Sequence, residues 1–176
     1  MRHIKETVTL LYTILALCAN AIAQKQMSYK PYCNARFQYC IDYPAALLIP
    51  QPEAYNGDGR IFLDKKKNKI LTVYGQRNAD SETDKPFSLK QLYNMEFKGG
   101  QYNSHPHRVI IYSKLGSNYY IISGKENGKI FYQKTIILPK SSNDGMPSIA
   151  DAIIIYDDSE KGIYDQVSKQ LFISFK

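Results

Sequence analysis

Tryptophan is absent from this 176-residue chain, and cysteine occurs three times. Without Trp there are no indole platforms for sugars to stack on, which weakens a carbohydrate-binding reading. No two Cys form C-x-x-C, so thiol–disulfide catalysis has no support. Ten Gly and eight Pro are too few for a collagen-like or linker protein. After residue 23 no apolar run approaches the ~18–20 residues that span a bilayer, so no transmembrane helix is expected beyond it. Acidic residues are the minority, 16 against 23 Lys and Arg, for a net charge of +7. The chemical motifs are missing too: no G-x-S-x-G, no G-x-G-x-x-G and no P-loop.

What is present starts with an address. Met1–Lys5 is basic, Val8–Cys18 is apolar, and Ala21-Ile22-Ala23 has the small residues of a cleavage site. This pattern predicts a signal peptide over 1–23, leaving 24–176 as a single α+β domain. Leu17 before Cys18 argues against a lipid anchor. The mature protein is expected in the periplasm if the source is Gram-negative and secreted otherwise. An exported chain rarely meets nucleic acid. Its basic excess therefore points to solubility, an anionic envelope polymer or an acidic protein partner.

Cys18 leaves with the signal, and Cys33 and Cys40 remain as a pair in an oxidising compartment. Extended chain would hold their Cα atoms ~23 Å apart, while a disulfide needs ~4.4–6.8 Å. Asn34-Ala35-Arg36 must turn the chain back for the bond to form. The alternative is two small buried thiols.

Along the mature chain, Gln24–Lys30 is polar and expected to fray. Phe37, Tyr39, Ile41 and Tyr43 alternate with polar residues, which predicts a strand ended by Pro44. A loop follows from Pro50 to Gly59, then strands at Arg60–Leu63 and Ile70–Tyr74 joined through Lys65-Lys66-Lys67-Asn68-Lys69. That lysine run reads better as a solvated turn than as an anion site. After a loop over 76–86, Ser88 can cap a helix with Leu89, Leu92, Tyr93 and Phe97 on one face and Gly99-Gly100 at its end. Val109–Ser113, Tyr119–Ser123 and Lys129–Leu138 form an antiparallel meander. After a loop over 139–147 come a strand at Ile149–Tyr156 and, behind Asp157-Asp158, a helix with Ile163, Val167 and Leu171 in register. The class is α+β, a mostly antiparallel sheet flanked by a central and a C-terminal helix.

Several of these stretches resemble small exported bacterial proteins. They are Phe37 with Asp42-Tyr43-Pro44, Asn56-Gly57-Asp58-Gly59-Arg60 with Phe62, Leu71-Thr72-Val73-Tyr74-Gly75, Gly124 with Gly128-Lys129-Ile130-Phe131-Tyr132, and Tyr164-Asp165 with Ser174-Phe175-Lys176. In element order the chain resembles the Mog1/PsbP/DcrB-like superfamily. The resemblance implies an antiparallel sheet between helices and no shared catalytic set. Its members serve as binding or adaptor modules in photosystem assembly, nuclear transport, envelopes and type VI secretion.

Candidate chemistry is sparse. His105-Pro106-His107 places two imidazoles on one face of an extended segment, where both could touch one metal, but no third ligand follows at a characteristic spacing. Asp157-Asp158 reads as helix capping rather than a catalytic carboxylate pair. Asn56-Gly57-Asp58-Gly59 reads as a tight turn and lacks the distal Glu of a calcium loop. Its exposed polar contacts, should it bind a partner, are Tyr55, Asn56, Asp58 and Arg60. Fifteen Tyr, many on predicted strands, suit core or edge packing, with a partner-binding stripe as the alternative.

The expected function is a non-catalytic binding or interaction module of the bacterial envelope, with no cofactor, such as an immunity or adaptor protein of a secretion system. The second reading is an envelope hydrolase or metal-dependent enzyme working from His105 and His107.

Overall fold

The computed structural model describes residues 27–97, 105, 107–138 and 147–176. The predicted signal peptide, Gly99-Gly100, Pro106 and nearly all of the loop over 139–147 lie outside the described residues.

Nine strands and two α-helices follow one another among the described residues. Strands β1 (Tyr29–Cys33) and β2 (Cys40–Pro44) form a separate antiparallel pair. The remaining strands are β3 (Ile49–Pro50), β4 (Gly59–Leu63), β5 (Lys69–Arg77), β6 (Arg108–Leu115), β7 (Tyr119–Glu126), β8 (Lys129–Leu138) and β9 (Ser148–Tyr156). They form one antiparallel sheet in the order β3-β4-β5-β9-β8-β7-β6. Helix α1 (Leu89–Met95) lies on one face, and α2 (Lys161–Ser174), entered through a 3-10 turn, lies on the other with the β1–β2 hairpin.

Alternation along the strands divides the two faces. Ala150, Ala152, Ile154 and Tyr156 of β9 meet the main core with Leu71, Val73, Phe62, Val167 and Leu171. Ile155 of β9 and Phe131 of β8 pack on the other face with Tyr120, Ile122, Leu89, Leu92 and Tyr93. Gly75 in β5 lets an aromatic ring approach the sheet, because a Cβ there would stand 2.3 Å from the Phe37 ring.

Local chemistry fixes several turns. Ser88 caps α1 in a reciprocal pair with Gln91. Asn127 and Gly128 both take positive φ between β7 and β8, as a tight hairpin of this hand requires. At the lysine-rich turn, the buried Asp64 carboxylate accepts from the Lys66 and Asn68 amides, each at 2.8 Å, and the lysines face solvent.

Three expectations are corrected. Residues 29–30 do not fray but begin β1, with Cys33 directly opposite Cys40. The strand expected from Phe37 starts only at Cys40, since Phe37 lies in the turn and Gln38 has φ 58°. Ile163 points to solvent, and Tyr164, Val167, Ser168, Leu171 and Phe172 form the buried face of α2. Among the described residues no helix is long and apolar enough to cross a membrane.

Candidate functional site

Cys33 and Cys40 are joined by a disulfide, their Cα atoms 4.1 Å apart, and the turn over 35–37 returns the chain between them. This crosslink abuts the candidate loop. Asn34 donates to the Gly57 carbonyl at 2.9 Å, and Arg36 donates to the Asn56 carbonyl at 2.7 Å. Tyr55 projects fully into solvent, and Asn56 and Asp58 bond to each other at 2.6 Å. Arg60 is turned inward, its guanidinium 4.7 Å from the centre of the Tyr32 ring. The loop thus offers Tyr55, Asn56 and Asp58 outward, while Arg60 is spent on packing.

The two histidines part company. His105 binds Glu126 through Nδ1 at 2.8 Å, whereas His107 is exposed. Among the described residues no three His, Cys, Asp or Glu side chains gather as a metal-holding group.

Two other regions have the shape of sites. The first is a groove of about 670 Å³ between α2 and the β6–β8 end of the sheet. Tyr112, Tyr119, Ile121 and Tyr132 form its floor, and Lys169, Phe172 and Ile173 form its helical wall. Lys134 spans the two, donating to the Phe172 carbonyl at 2.7 Å and the Phe175 carbonyl at 2.8 Å. Burial holds its ammonium below the usual lysine range. The groove exists because α2 packs chiefly on β2, β8 and β9 and leaves the neighbouring strands open. Apolar side chains are exposed on β6 as well, Val109 at 62% and Ile111 at 73%, and Ile173 of the groove's helical wall is 75% exposed. Among the described residues β6, of eight residues, is an edge strand, its pairing with β7 interrupted by a bulge between Ile110 and Tyr112.

The second region is a cleft of about 470 Å³ under α1 on the opposite face. Its floor holds Tyr74, Gln133 and Asp151, and its wall holds Glu96, Tyr120, Leu92 and Met95. Asp151 is fully enclosed, accepting from the Thr135 hydroxyl and from Gln133 and Gln76, each of the latter at 3.3 Å. Burial pushes its carboxyl up to about 6, and the charge of Glu96 adds to the effect. Glu96 accepts through Oε1 from Tyr120 at 2.7 Å and from Gln133 at 3.0 Å. Arg108, its side chain only 3% exposed, joins the cluster to Glu126 at 2.8 Å and to Gln133 at 2.6 Å, and lies 4.1 Å from the centre of the Phe131 ring. Burial alone would raise the Glu126 carboxyl, but Arg108 and His105 outweigh it and hold the group below its ordinary range.

Neither region stood out in the sequence. Asp151 carries a usable signal, as the only charge in the apolar run from Ile149 to Tyr156. The cleft's other polar groups are spread over β5, β7, β8 and the end of α1, and only the fold brings them together.

No family model matches the chain, and no curated protein matches it. Solved structures do. The solution structure of cyanobacterial PsbP (CyanoP) from Synechocystis is 14% identical with a TM-score of 0.54, covering 88% of this chain and 95% of that one. The crystal structure of the Saccharomyces cerevisiae Ran-binding protein Mog1p is 7% identical with a TM-score of 0.49, covering 86% of this chain and 96% of that one. The likeness to PsbP shows that the chain has a PsbP-like α+β fold, in keeping with its element order.

Proposed function

We propose that this chain is an exported, non-catalytic binding module that docks a protein partner on the β6 edge and the groove beside α2. The observation that carries the reading is the groove itself, with Tyr112 and Ile173 exposed in its lining and Val109 and Ile111 exposed elsewhere on the adjoining strand β6. Soluble proteins seldom leave such patches uncovered without a use for them. An edge strand with a free backbone side is also a ready template for a partner strand. Lys114 on β6 and Lys169 on α2 are both exposed beside the apolar surface. The matching partner presents apolar side chains flanked by carboxylates. Export is supported by the Cys33–Cys40 disulfide, which persists in oxidising compartments, together with the signal-like start of the sequence.

The test is site-specific photo-crosslinking in the native host, with p-benzoyl-phenylalanine placed at Tyr112 and, as a control, at Lys66 on the distant hairpin tip. The reading expects a discrete adduct from Tyr112 that disappears in an Ile173→Lys background, with none from Lys66. Equal labelling at both sites, or none at Tyr112, would refute it.

A further inference from the structure

On the face that carries α2, the sheet has room for three covering elements, and the described residues supply two. The β1–β2 hairpin covers β4 and β5. Tyr32 and Tyr43 pack on Phe62, with ring centres 5.8 and 4.8 Å away, and Tyr39 donates to the Val73 carbonyl at 3.3 Å. Helix α2 covers β9 and β8, with Val167 and Leu171 in the main core. Over β7 and β6 the described residues place no further element, and Tyr112 stays 51% exposed there. We propose that the third place is filled, given the partner-docking reading on which this assignment rests, by an amphipathic helix of the partner. It lies beside α2 over β6 and β7 and carries carboxylates on both flanks of its apolar stripe.

Spacing is the first reason. From the centre of the β8–β9 pair to the centre of the β6–β7 pair is two strand spacings, ~10 Å. Packed helices sit at ~8–10 Å. A helix over β6 and β7 therefore meets α2 at an ordinary packing distance. Register sets its floor. Lys114, Ile121 and Lys134 stand in one row across β6, β7 and β8, and Tyr112, Ser123 and Tyr132 stand in another. Directly paired residues of neighbouring strands point to the same face. Asp165, Lys169 and Ile173 recur every fourth residue and form the flank of α2 that lines the groove. That flank is ~12 Å long, a little over two turns. It matches apolar anchors at i, i+3 or i+4, and i+7 of a partner helix.

Charge is the second reason. The groove's lining holds Lys134, Lys169 and Asp165, and Lys114 stands beside it on β6. Lys134 is spent on the Phe172 and Phe175 carbonyls, and Asp165 accepts from the Tyr156 hydroxyl. Lys114 and Lys169 are exposed, and neither has an ion-pair partner among the described residues. One lies on the sheet edge and the other on α2. A helix between them meets a cation on each flank, which Asp or Glu on both sides of the apolar stripe would complement.

A strand added to the β6 edge is the competing occupant. The bulge between Ile110 and Tyr112 breaks the regularity of that edge, a device that discourages strand addition. An added strand would also lie outside Tyr112 and leave Lys169 and Ile173, across the groove, without contact.

The test places p-benzoyl-phenylalanine in the native host at Tyr112 and, in a second variant, at Ile173, and maps each adduct by peptide mass spectrometry. Both probes should capture the same partner. The partner residues joined to them should fall in one segment at spacings of three, four or seven, with Asp or Glu beside them. Lys114→Glu with Lys169→Glu, both at exposed positions, should cut the yield from the Tyr112 probe at least ~10-fold, while Arg at both positions should keep it. Partner residues at alternate positions, or capture from Tyr112 without capture from Ile173, would show a strand on the β6 edge. That result overturns the helix and leaves the docking reading standing. An adduct within one chain, or between two copies of it, overturns the helix as well, and full yield in the charge-reversed variant overturns its acidic flanks. No adduct from Tyr112 refutes the docking reading itself and the helix with it.

Discussion

Asp151 is a carboxyl group enclosed in the middle strand of the sheet, and its replacement by Asn gives a sharp test of how the cleft stores charge. In the folded protein, burial and the neighbouring Glu96 raise this carboxyl from 3.8 to about 6, against the opposing hydrogen bonds of Thr135, Gln76 and Tyr74. Because the folded value lies above the unfolded one, the associated stability is fully present below 3.8 and is lost as pH rises through about 6. The shift corresponds to about 3 kcal/mol of destabilisation at pH 8 relative to a permanently neutral group. Asn is neutral and nearly isosteric. Its oxygen can keep the Thr135 and Gln133 bonds, and the Gln76 amide can rotate to receive its NH₂. Urea unfolding of both proteins, with the disulfide intact, should therefore show the stability of Asp151→Asn relative to the parent rising by about 2–3 kcal/mol between pH 4 and pH 8. Most of the rise should fall below pH ~6.5. Other titrating groups are common to both proteins and largely cancel in the difference. A difference that is flat across this range would refute the claim that burial raises the Asp151 carboxyl in the folded protein. A difference that falls with pH would show that its donors more than repay its desolvation.

Arg108→Ala leaves Glu126 buried without its main partner and should lower stability by about 3–5 kcal/mol in chemical denaturation at pH 7. Glu126 titrates below its ordinary value, so its contribution is present above 4.5 and is lost as pH falls. The deficit of Arg108→Ala should accordingly shrink on acidification. Replacing both Cys33 and Cys40 with Ser should cost about 2–3 kcal/mol, read from the urea midpoint against the oxidised parent, because the crosslink no longer restricts the unfolded chain. Gly75→Val drives a branched side chain into the Phe37 ring and should lower the thermal midpoint by several degrees or prevent folding, whereas Gly162→Ala, which meets nothing within 4 Å, should not lower it.

Where the sequence signal was local, it read through to the structure. Strand β8 occupies Lys129–Leu138, the span expected for the last strand of the meander, and Ser88 caps the helix it precedes. Strand β1 escaped because its residues are polar and include Pro31, which a two-stranded pair tolerates at an edge. Phe37 looked like a strand residue because its apolar side chain is wanted by the core, yet its backbone is needed for the turn between the cysteines. The tyrosines split by depth. Tyr39, Tyr120 and Tyr156 are core, while Tyr112, Tyr119 and Tyr132 line the groove, and composition alone cannot separate these uses. The cleft was hidden for a different reason. Glu96, Arg108, Gln133 and Asp151 are ordinary residues one at a time, and only pairings between distant strands make them neighbours.

The place of β9 between β5 and β8 bears on how the protein is made. Ribosomes deliver both flanking strands, β5 long before and β8 shortly before, ahead of the one that joins them. Until Ser148–Tyr156 emerges, the nascent polypeptide holds two half-built sheets whose inner strands, β5 and β8, await the same missing centre. Such an intermediate invites intermolecular mispairing and favours holding factors over early closure.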